Sequence, residues 1–217
     1  MNLDLFGDPP PADASPHPLS PGAFSLEGLA LAQAPRLWAE IQNITCISPW
    51  RHLHTPGGLK MSVAMSNCGP WGWVSDASGY RYQRTDPLTG AAWPAMPGIF
   101  TELATLAAER AGYPGFVPDA CLINHYTPGA RMSLHQDKNE LDYRAPIVSV
   151  SLGLPAVFEW GGLQRSDPVQ RVRLHHGDVV VWGGPARLRF HGVQAVEPGH
   201  HPLTGACRIN LTFRTAA

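Results

Sequence analysis

The run Ile147-Val-Ser-Val-Ser-Leu-Gly-Leu-Pro-Ala-Val-Phe-Glu-Trp-Gly-Gly162 decides the architecture. It holds two short strand signals, Ile147–Leu152 and Ala156–Trp160, with too few residues between them for a crossover helix. Upstream lies Ala120–Tyr126, and downstream lie Val169–Leu174, Asp178–Trp182, Arg189–Val196 and Cys207–Phe213. Turns fall at Thr127-Pro-Gly129, Gly161-Gly162, His176-Gly177-Asp178, Gly183-Gly184 and Pro198-Gly199. Seven short strands punctuated in this way predict a mainly β domain, an antiparallel sandwich or barrel. There is no βαβ alternation, no GxGxxG and no phosphate-binding glycine loop, which excludes dinucleotide-binding and NTPase folds.

Helices are few. Residues 98–111 carry an apolar stripe of Phe100, Leu103, Leu106 and Ala107, with Gly112 as the terminator. Residues 29–43 predict a second helix, with Pro35 in its first turn. Between them, Lys60–Asn67 alternates Met61, Val63 and Met65 against Ser62, Ala64 and Ser66, the pattern of a half-buried strand. Residues 69–96 set Trp71, Trp73, Tyr80, Tyr82 and Trp93 among Gly, Pro, Ser and Asp. Such aromatics are either core plugs or a surface for a flat ligand. Residues 1–23, with six prolines between 9 and 21, read as a flexible or extended arm, leaving 24–217 as a single domain.

With 22 glycines and 22 prolines in 217 residues, the composition agrees with a turn-rich β domain. A net charge of -1 excludes a polybasic nucleic-acid coat. No apolar run reaches the ~18 residues of a membrane helix, and the N-terminus lacks a signal-peptide pattern. The expectation is a cytoplasmic protein with no membrane partner. Cys46, Cys68, Cys121 and Cys207 lie far apart, so neither a zinc-thiolate site nor a disulfide framework is expected.

The chemistry is carried by histidine. Two side chains at i and i+2 of an extended chain point the same way, so His-x-Asp can present two ligands to one ion, with a third from a distant strand. The pattern occurs twice, at His135-Gln-Asp137 and at His176-Gly-Asp178. The second reads as a structural turn before Val179. The first sits in a polar stretch suited to a barrel mouth, with His191 available from a later strand. A solvated loop pair and a core histidine are the alternatives. On the last strand, the same i, i+2 rule puts Arg208, Asn210, Thr212 and Arg214 on one face. Two cations on a buried strand need an anionic partner, such as a small dicarboxylate; otherwise this is an edge strand whose polar face meets water. Asn124 and Tyr126 alternate on another strand and can add donors.

Together, Asn124-His-Tyr126, His135-Gln-Asp137, His191 and Arg208-Ile-Asn-Leu-Thr-Phe-Arg214 resemble the AlkB family of iron(II)- and 2-oxoglutarate-dependent nucleic-acid dealkylases, its bacterial members most closely. Thr55-Pro-Gly-Gly58, Met61-Ser-Val-Ala-Met65, Asn67-Cys-Gly69, Trp93-Pro-Ala-Met-Pro97 and Asp178-Val-Val-Val-Trp-Gly-Gly184 extend the likeness. It implies a double-stranded β-helix, or jelly roll, over 119–214, with buttressing helices and a nucleotide-recognition lid within 50–96. It implies that His135, Asp137 and His191 ligate catalytic Fe(II). Arg208 would pair with the distal carboxylate of 2-oxoglutarate, aided by Tyr126 and Asn124, with Arg214 and Asn210 nearer its metal-bound end. Trp73 and His135 would sandwich a flipped base, with Met65 packed nearby, while Thr55, Tyr80 and Arg165 would contact backbone phosphates. The implied reaction consumes O2 and 2-oxoglutarate and releases succinate, CO2 and formaldehyde. Its implied substrates are 1-methyladenine and 3-methylcytosine in single- or double-stranded DNA, with RNA as a further substrate; the enzyme is expected to be a monomer. One position departs: where the bacterial members most resembled carry a second acid two residues after the metal aspartate, this chain has Asn139, with Glu140 and Asp142 near enough to supply negative field. The rival reading is a 2-oxoglutarate-dependent hydroxylase of a small molecule or protein side chain, against which the aromatic lid and the phosphate-contact set argue.

Overall fold

The two strands of the 147–162 run lie in different sheets. In the computed structural model, which describes residues 15–217, the chain leaves one sheet at Gly153, turns at Leu154-Pro155 and enters the other. Gly153 has φ +84°, and a Cβ there would collide with Thr204 and the Cys207 carbonyl, so the corner requires glycine.

The described strands are β1 (His17–Ser20), β2 (Ala23–Leu26), β3 (Arg51–His54), β4 (Lys60–Cys68), β5 (Gly72–Asp76), β6 (Gly79–Gln83), β7 (Ala120–Tyr126), β8 (Met132–His135), β9 (Ile147–Gly153), β10 (Ala156–Trp160), β11 (Gln170–Leu174), β12 (Val179–Trp182), β13 (His191–Val193) and β14 (Arg208–Arg214). The helices are α1 (Ala34–Ile47) and α2 (Gly98–Arg110). An eight-stranded sheet runs β1-β2-β12-β9-β14-β7-β4-β3 and a four-stranded sheet runs β11-β10-β13-β8; β5 and β6 form a separate hairpin. The expected jelly-roll sandwich is therefore present.

Two cores result. Between the sheets lie Val63, Met65, Leu122, Tyr126, Phe158, Trp160 and Trp182. On the outer face of the large sheet, α1 and α2 bury Leu37, Ile41, Phe100 and Leu103 against Ile123, Val150 and Phe213. Phe100 meets Phe213 edge-on at 5.8 Å. Each such fully buried side chain contributes roughly 1.5–3 kcal/mol, and truncating Phe100 to alanine would open a cavity costing about 3–5 kcal/mol. No helix of the described residues is long and apolar enough to cross a membrane.

Several expectations change here. The first helix begins at Ala34, after a 3-10 turn at Leu31–Gln33, and runs on to Ile47; Pro35 occupies its first turn. β4 is buried on both faces from Val63 onward, since α1 covers the side expected to meet water. Residues 1–14 of the expected arm lie outside the described residues. Its remainder is strand: β1 pairs with β2, which continues the large sheet alongside β12. Pro18 sits in β1, the edge strand, where a missing N–H is tolerated. Within 50–96, β3 and β4 belong to the large sheet, and only the β5–β6 hairpin with its following loop stands apart.

Candidate active site

β8 and β13 are antiparallel neighbours, and their register places His135 opposite His191. The two rings lie 4.4 Å apart at 53°. Asp137 follows two residues after His135, with its Oδ1 3.7 Å from His135 Nε2 and its Oδ2 3.7 Å from His191 Nε2. The three ligand atoms fall within 4.8 Å of one another, the spacing of a metal site. Each Nδ1–H donates to a carbonyl two residues back: His135 to Ser133 at 2.9 Å and His191 to Arg189 at 3.1 Å. A carbonyl can only accept, so the proton sits on Nδ1 and the Nε2 lone pair is left for a metal.

The electrostatics agree. Burial, the strongest influence on Asp137, would raise its carboxyl. Arg214 and then the two imidazoles outweigh burial and hold it far below the usual carboxylate range. Burial, followed by the neighbouring His135, pushes the His191 imidazole down to about 4, so it is neutral where a ligand must be neutral. The other His-x-Asp is a corner. Gly177 has φ +88° and abuts Leu31, while Asp178 accepts from the backbone N–H of Gly28 and His175 at 2.9 and 2.7 Å. His176 Nδ1 accepts from Gly153 N–H. Among the described residues, His135, Asp137 and His191 form the one such three-ligand cluster.

β14 is not an edge strand. It lies between β9 and β7 at the middle of the large sheet, and all seven of its residues are buried. Arg208 is 1 % exposed; its Nη2 donates to Ser151 Oγ at 3.0 Å and its guanidinium lies 5.0 Å from the Tyr126 ring centre. Among the described residues its Nε and Nη1 have no hydrogen-bond partner, nor does the adjacent-strand Asn124 Oδ1. A buried guanidinium with two unpaired donor nitrogens is costly unless an anion fills the site, and a carboxylate matches its fork. The residues therefore fit 2-oxoglutarate as well as the metal. Asn210 is fully occupied within the protein. Its Oδ1 accepts from Asn124 and Thr212, and its amide donates to Ser149 Oγ and Val150 O. It braces the pocket wall, with no amide group left over for a ligand. Arg214 donates to Asp137 Oδ2 through Nη2 at 2.7 Å and Nε at 3.1 Å, so it serves the metal ligand directly.

The β5–β6 hairpin brings the aromatic stretch to this centre. Asn67 grips the Trp73 backbone in both directions, at 2.9 and 3.0 Å. The Trp73 indole N–H donates to Asn139 Oδ1 at 3.2 Å, and its ring stacks on Tyr80 at 5.6 Å. Its stacking partner in this structure is thus Tyr80 on the paired strand. Met65 is buried between the sheets. Thr55, whose hydroxyl accepts from Leu59 N–H, is half-buried, while Tyr80 and Arg165 are exposed; the Arg165 guanidinium lies over Phe190. Behind the hairpin, a cavity of about 610 Å³ is bordered by Arg51, His52, Met65, Trp73 and Trp93.

Two expectations about negative field fail. Asp142 is paired with Arg144 at 2.7 Å at the surface, and Glu140 is buried between Arg187 at 2.9 Å and Arg214 at 3.5 Å. Arg187, Tyr82 and the ionic role of Glu140 carry no sequence signature. They come from separate segments and meet only in the fold.

Residues 29–214 match the model of the 2OG-Fe(II) oxygenase superfamily. The chain is 56% identical to the alpha-ketoglutarate-dependent dioxygenase AlkB of Salmonella typhimurium over 215 residues, covering 99% of this chain and 98% of that protein. It is likewise 56% identical to the protein of that name from Escherichia coli, over 99% and 98%. The solved structure of OsALKBH1 superposes with a TM-score of 0.81 at 30% identity, covering 92% of this chain and 99% of that one. Near-full-length identity of this order, on a His-Asp-His cluster and a buried arginine with unpaired donor nitrogens, leads to one conclusion: the chain belongs to the AlkB family of Fe(II)- and 2-oxoglutarate-dependent dioxygenases.

Proposed function

We propose that this protein oxidatively demethylates N-alkylated bases, 1-methyladenine and 3-methylcytosine, in single- or double-stranded DNA and also in RNA. The observation that carries the reading is the bond between Trp73 and Asn139, two residues beyond the metal ligand Asp137. It sets an aromatic face, able to stack on any base, at the rim of the metal centre.

When bound, Fe(II) would let O2 oxidise 2-oxoglutarate and the N-methyl group together, one oxygen atom passing to succinate as CO2 is lost and the other giving the N-hydroxymethyl group. His135, Asp137 and His191 hold the metal, and Arg214 fixes the Asp137 carboxylate. Arg208 grips the distal carboxylate of 2-oxoglutarate, and Tyr126 and Asn124 border it. Trp73 supplies the stacking face for the flipped base, with His135 across from it and Met65 lining the floor. Thr55, Tyr80 and Arg165 position the strand by its phosphates, which carry no sequence information. Both favoured lesions disrupt Watson–Crick pairing, which lowers the cost of extruding the base. The hydroxymethyl adduct then collapses, the base nitrogen keeping the C–N electron pair as formaldehyde leaves.

The test is turnover of an oligonucleotide panel carrying single methylated bases, with Fe(II), 2-oxoglutarate and O2, read by product mass. Loss of one methylene mass unit from the 1-methyladenine and 3-methylcytosine strands, with equimolar succinate, supports the reading. Succinate formed at the same rate with and without oligonucleotide, with no mass change, refutes it.

A further inference from the structure

We propose that Tyr82 and Glu140 are positioning residues that couple docking of the lid hairpin to the geometry of the metal ligand Asp137. This rests on the reading of His135, Asp137 and His191 as the metal site. Tyr82 lies on β6, in the hairpin that belongs to neither sheet. Its hydroxyl donates to Glu140 Oε1 at 2.6 Å, the length of a charge-assisted bond. Burial and the nearby carboxylates raise the Tyr82 phenol well above its ordinary value, so the hydroxyl keeps its proton.

From Glu140, two routes reach Asp137. The first runs through Arg214, whose Nε lies 3.5 Å from Glu140 Oε1 while donating to Asp137 Oδ2 at 3.1 Å. The second runs through Arg187, which donates Nη2 to Glu140 Oε2 at 2.9 Å and Nη1 to the Asp137 backbone carbonyl at 2.7 Å. Glu140, Arg187 and Arg214 are all buried. The metal aspartate is therefore held at its side chain and at its main chain by two guanidiniums that share one glutamate, and that glutamate is fastened to the lid. Other ties to the hairpin run through uncharged groups: Asn67 holds the Trp73 backbone, Ser75 bonds the His54 carbonyl, the Asn139 side chain bonds the Trp73 indole and the Tyr80 carbonyl, and the Trp93 indole donates to the Gln83 carbonyl.

The chemistry of sharing supplies the coupling. With the Tyr82 hydroxyl in place, Glu140 Oε1 has a near donor and leaves Arg214 to Asp137. Without it, the buried carboxylate oxygen is short of a donor, and the nearest one is Arg214 Nε. A guanidinium drawn toward Glu140 slackens its hold on Asp137 Oδ2, and the orientation of a ligating carboxylate is set by such outer hydrogen bonds. Linkage makes the effect reciprocal: a metal that favours the held Asp137 also favours the docked hairpin.

The experiment titrates Co(II) into the metal-free 217-residue protein with saturating 2-oxoglutarate, reading affinity and the visible ligand-field spectrum. It compares the parent, Tyr82→Phe, Glu140→Gln and the double variant. Tyr82→Phe keeps the ring and removes the hydroxyl; it should weaken Co(II) binding about tenfold and alter the spectrum. The double variant should be no worse than Glu140→Gln alone, because both substitutions break one relay. A role confined to lid packing would lower the melting temperature and leave Co(II) affinity and spectrum unchanged, and that result overturns the proposal. Additive losses in the double variant overturn it too. If Glu140→Gln does not fold, the comparison of parent with Tyr82→Phe decides alone. Failure of the parent itself to bind Co(II) refutes instead the metal-site reading on which the relay rests.

Discussion

Arg214 and Asp137 meet on a single oxygen: both Nη2 and Nε of Arg214 donate to Asp137 Oδ2, while Oδ1 has no donor among the described residues. The guanidinium thereby sets the rotation of the carboxylate and leaves one oxygen, flanked by His135 Nε2, for a metal. It also makes Asp137 half of a buried ion pair, so the three metal ligands differ in what their removal does to the fold.

His135→Ala should abolish Fe(II)-dependent turnover with little loss of stability, since its only described hydrogen bond is to a backbone carbonyl. Asp137→Ala should abolish turnover and also destabilise the protein by about 3–5 kcal/mol, because it strands the buried Arg214 charge. His176→Ala should retain Fe(II)-dependent turnover. Denaturant unfolding and metal titration on the three variants separate these outcomes; metal loss in His176→Ala alone would mean that the wrong His-x-Asp has been assigned.

Arg208→Ala should raise the KM for 2-oxoglutarate by about a hundredfold or more, the scale of a lost charge-assisted bidentate pair, and leave that for oligonucleotide nearly unchanged. Arg208→Lys should recover only part, because a point charge cannot reproduce the fork. Thermal melts give a second readout. Added to the metal-loaded protein, 2-oxoglutarate should raise the parent's Tm by mass action and fail to raise further that of metal-loaded Arg208→Met.

Trp73→Ala should weaken methylated-DNA binding or kcat/KM about tenfold to a hundredfold, from a stacking contribution of ~1–3 kcal/mol. Succinate release without substrate should persist. If the indole serves only to pack the hairpin against Tyr80, Trp73→Phe should restore activity fully.

Asn139→Asp preserves an acceptor for the Trp73 indole N–H and adds a charge beside the proposed base-stacking face. It should raise the kcat/KM preference for cationic 3-methylcytosine over uncharged 3-methylthymine severalfold, the scale of a part-solvated charge at effective ε ≈ 20. Asn139→Leu removes the acceptor and should lower kcat/KM on both bases together. A competition assay at fixed salt and pH reads both; an unmoved ratio in Asn139→Asp would assign the preference to pocket shape.

Burial, with His201 next to it, pushes the His176 imidazole down to about 4, while in the unfolded chain it titrates near 6.5. Between those values the unfolded state binds more protons, so stability is full above about pH 6.5 and falls as pH drops toward 4. Discounted for its part-exposed position, the loss is about 1–2 kcal/mol. His176→Gln, whose amide oxygen can still accept from Gly153 N–H, should flatten that slope. Urea unfolding at pH 7 and pH 5 gives the comparison.

The β-sandwich and most of the catalytic face were legible because they rest on a period of two. In β14 the polar set Arg208, Asn210, Thr212 and Arg214 lines the inter-sheet face, as alternation requires, and Ile209, Leu211 and Phe213 meet the helices. What stayed hidden depends on partners remote in the chain. β4 reads as half-buried because nothing in Lys60–Cys68 announces that α1 covers its second face. β8 is only four residues, Met132–His135, too short for periodicity to mark. The hairpin strands β5 and β6 were masked by glycine and aromatic residues that resemble a loop. Arg187, Glu140 and Tyr82 belong to three segments whose meeting no local pattern encodes.

The place of β14 also bears on how the molecule comes into being. β14 follows every other described strand in sequence, yet it is not added at an edge; it is inserted between β9 and β7, whose facing sides pair with β14. During synthesis both strands must wait, edges open, for Arg208–Arg214 to emerge, a long-range closure of the kind that folds slowly and is exposed to aggregation. The same segment delivers the guanidinium that fixes Asp137 and the one whose Nε and Nη1 are left without a hydrogen bond among the described residues. Closure of the sheet and orientation of the metal ligand Asp137 are thus a single event, and a nascent chain that has not yet folded shut has no oriented metal centre.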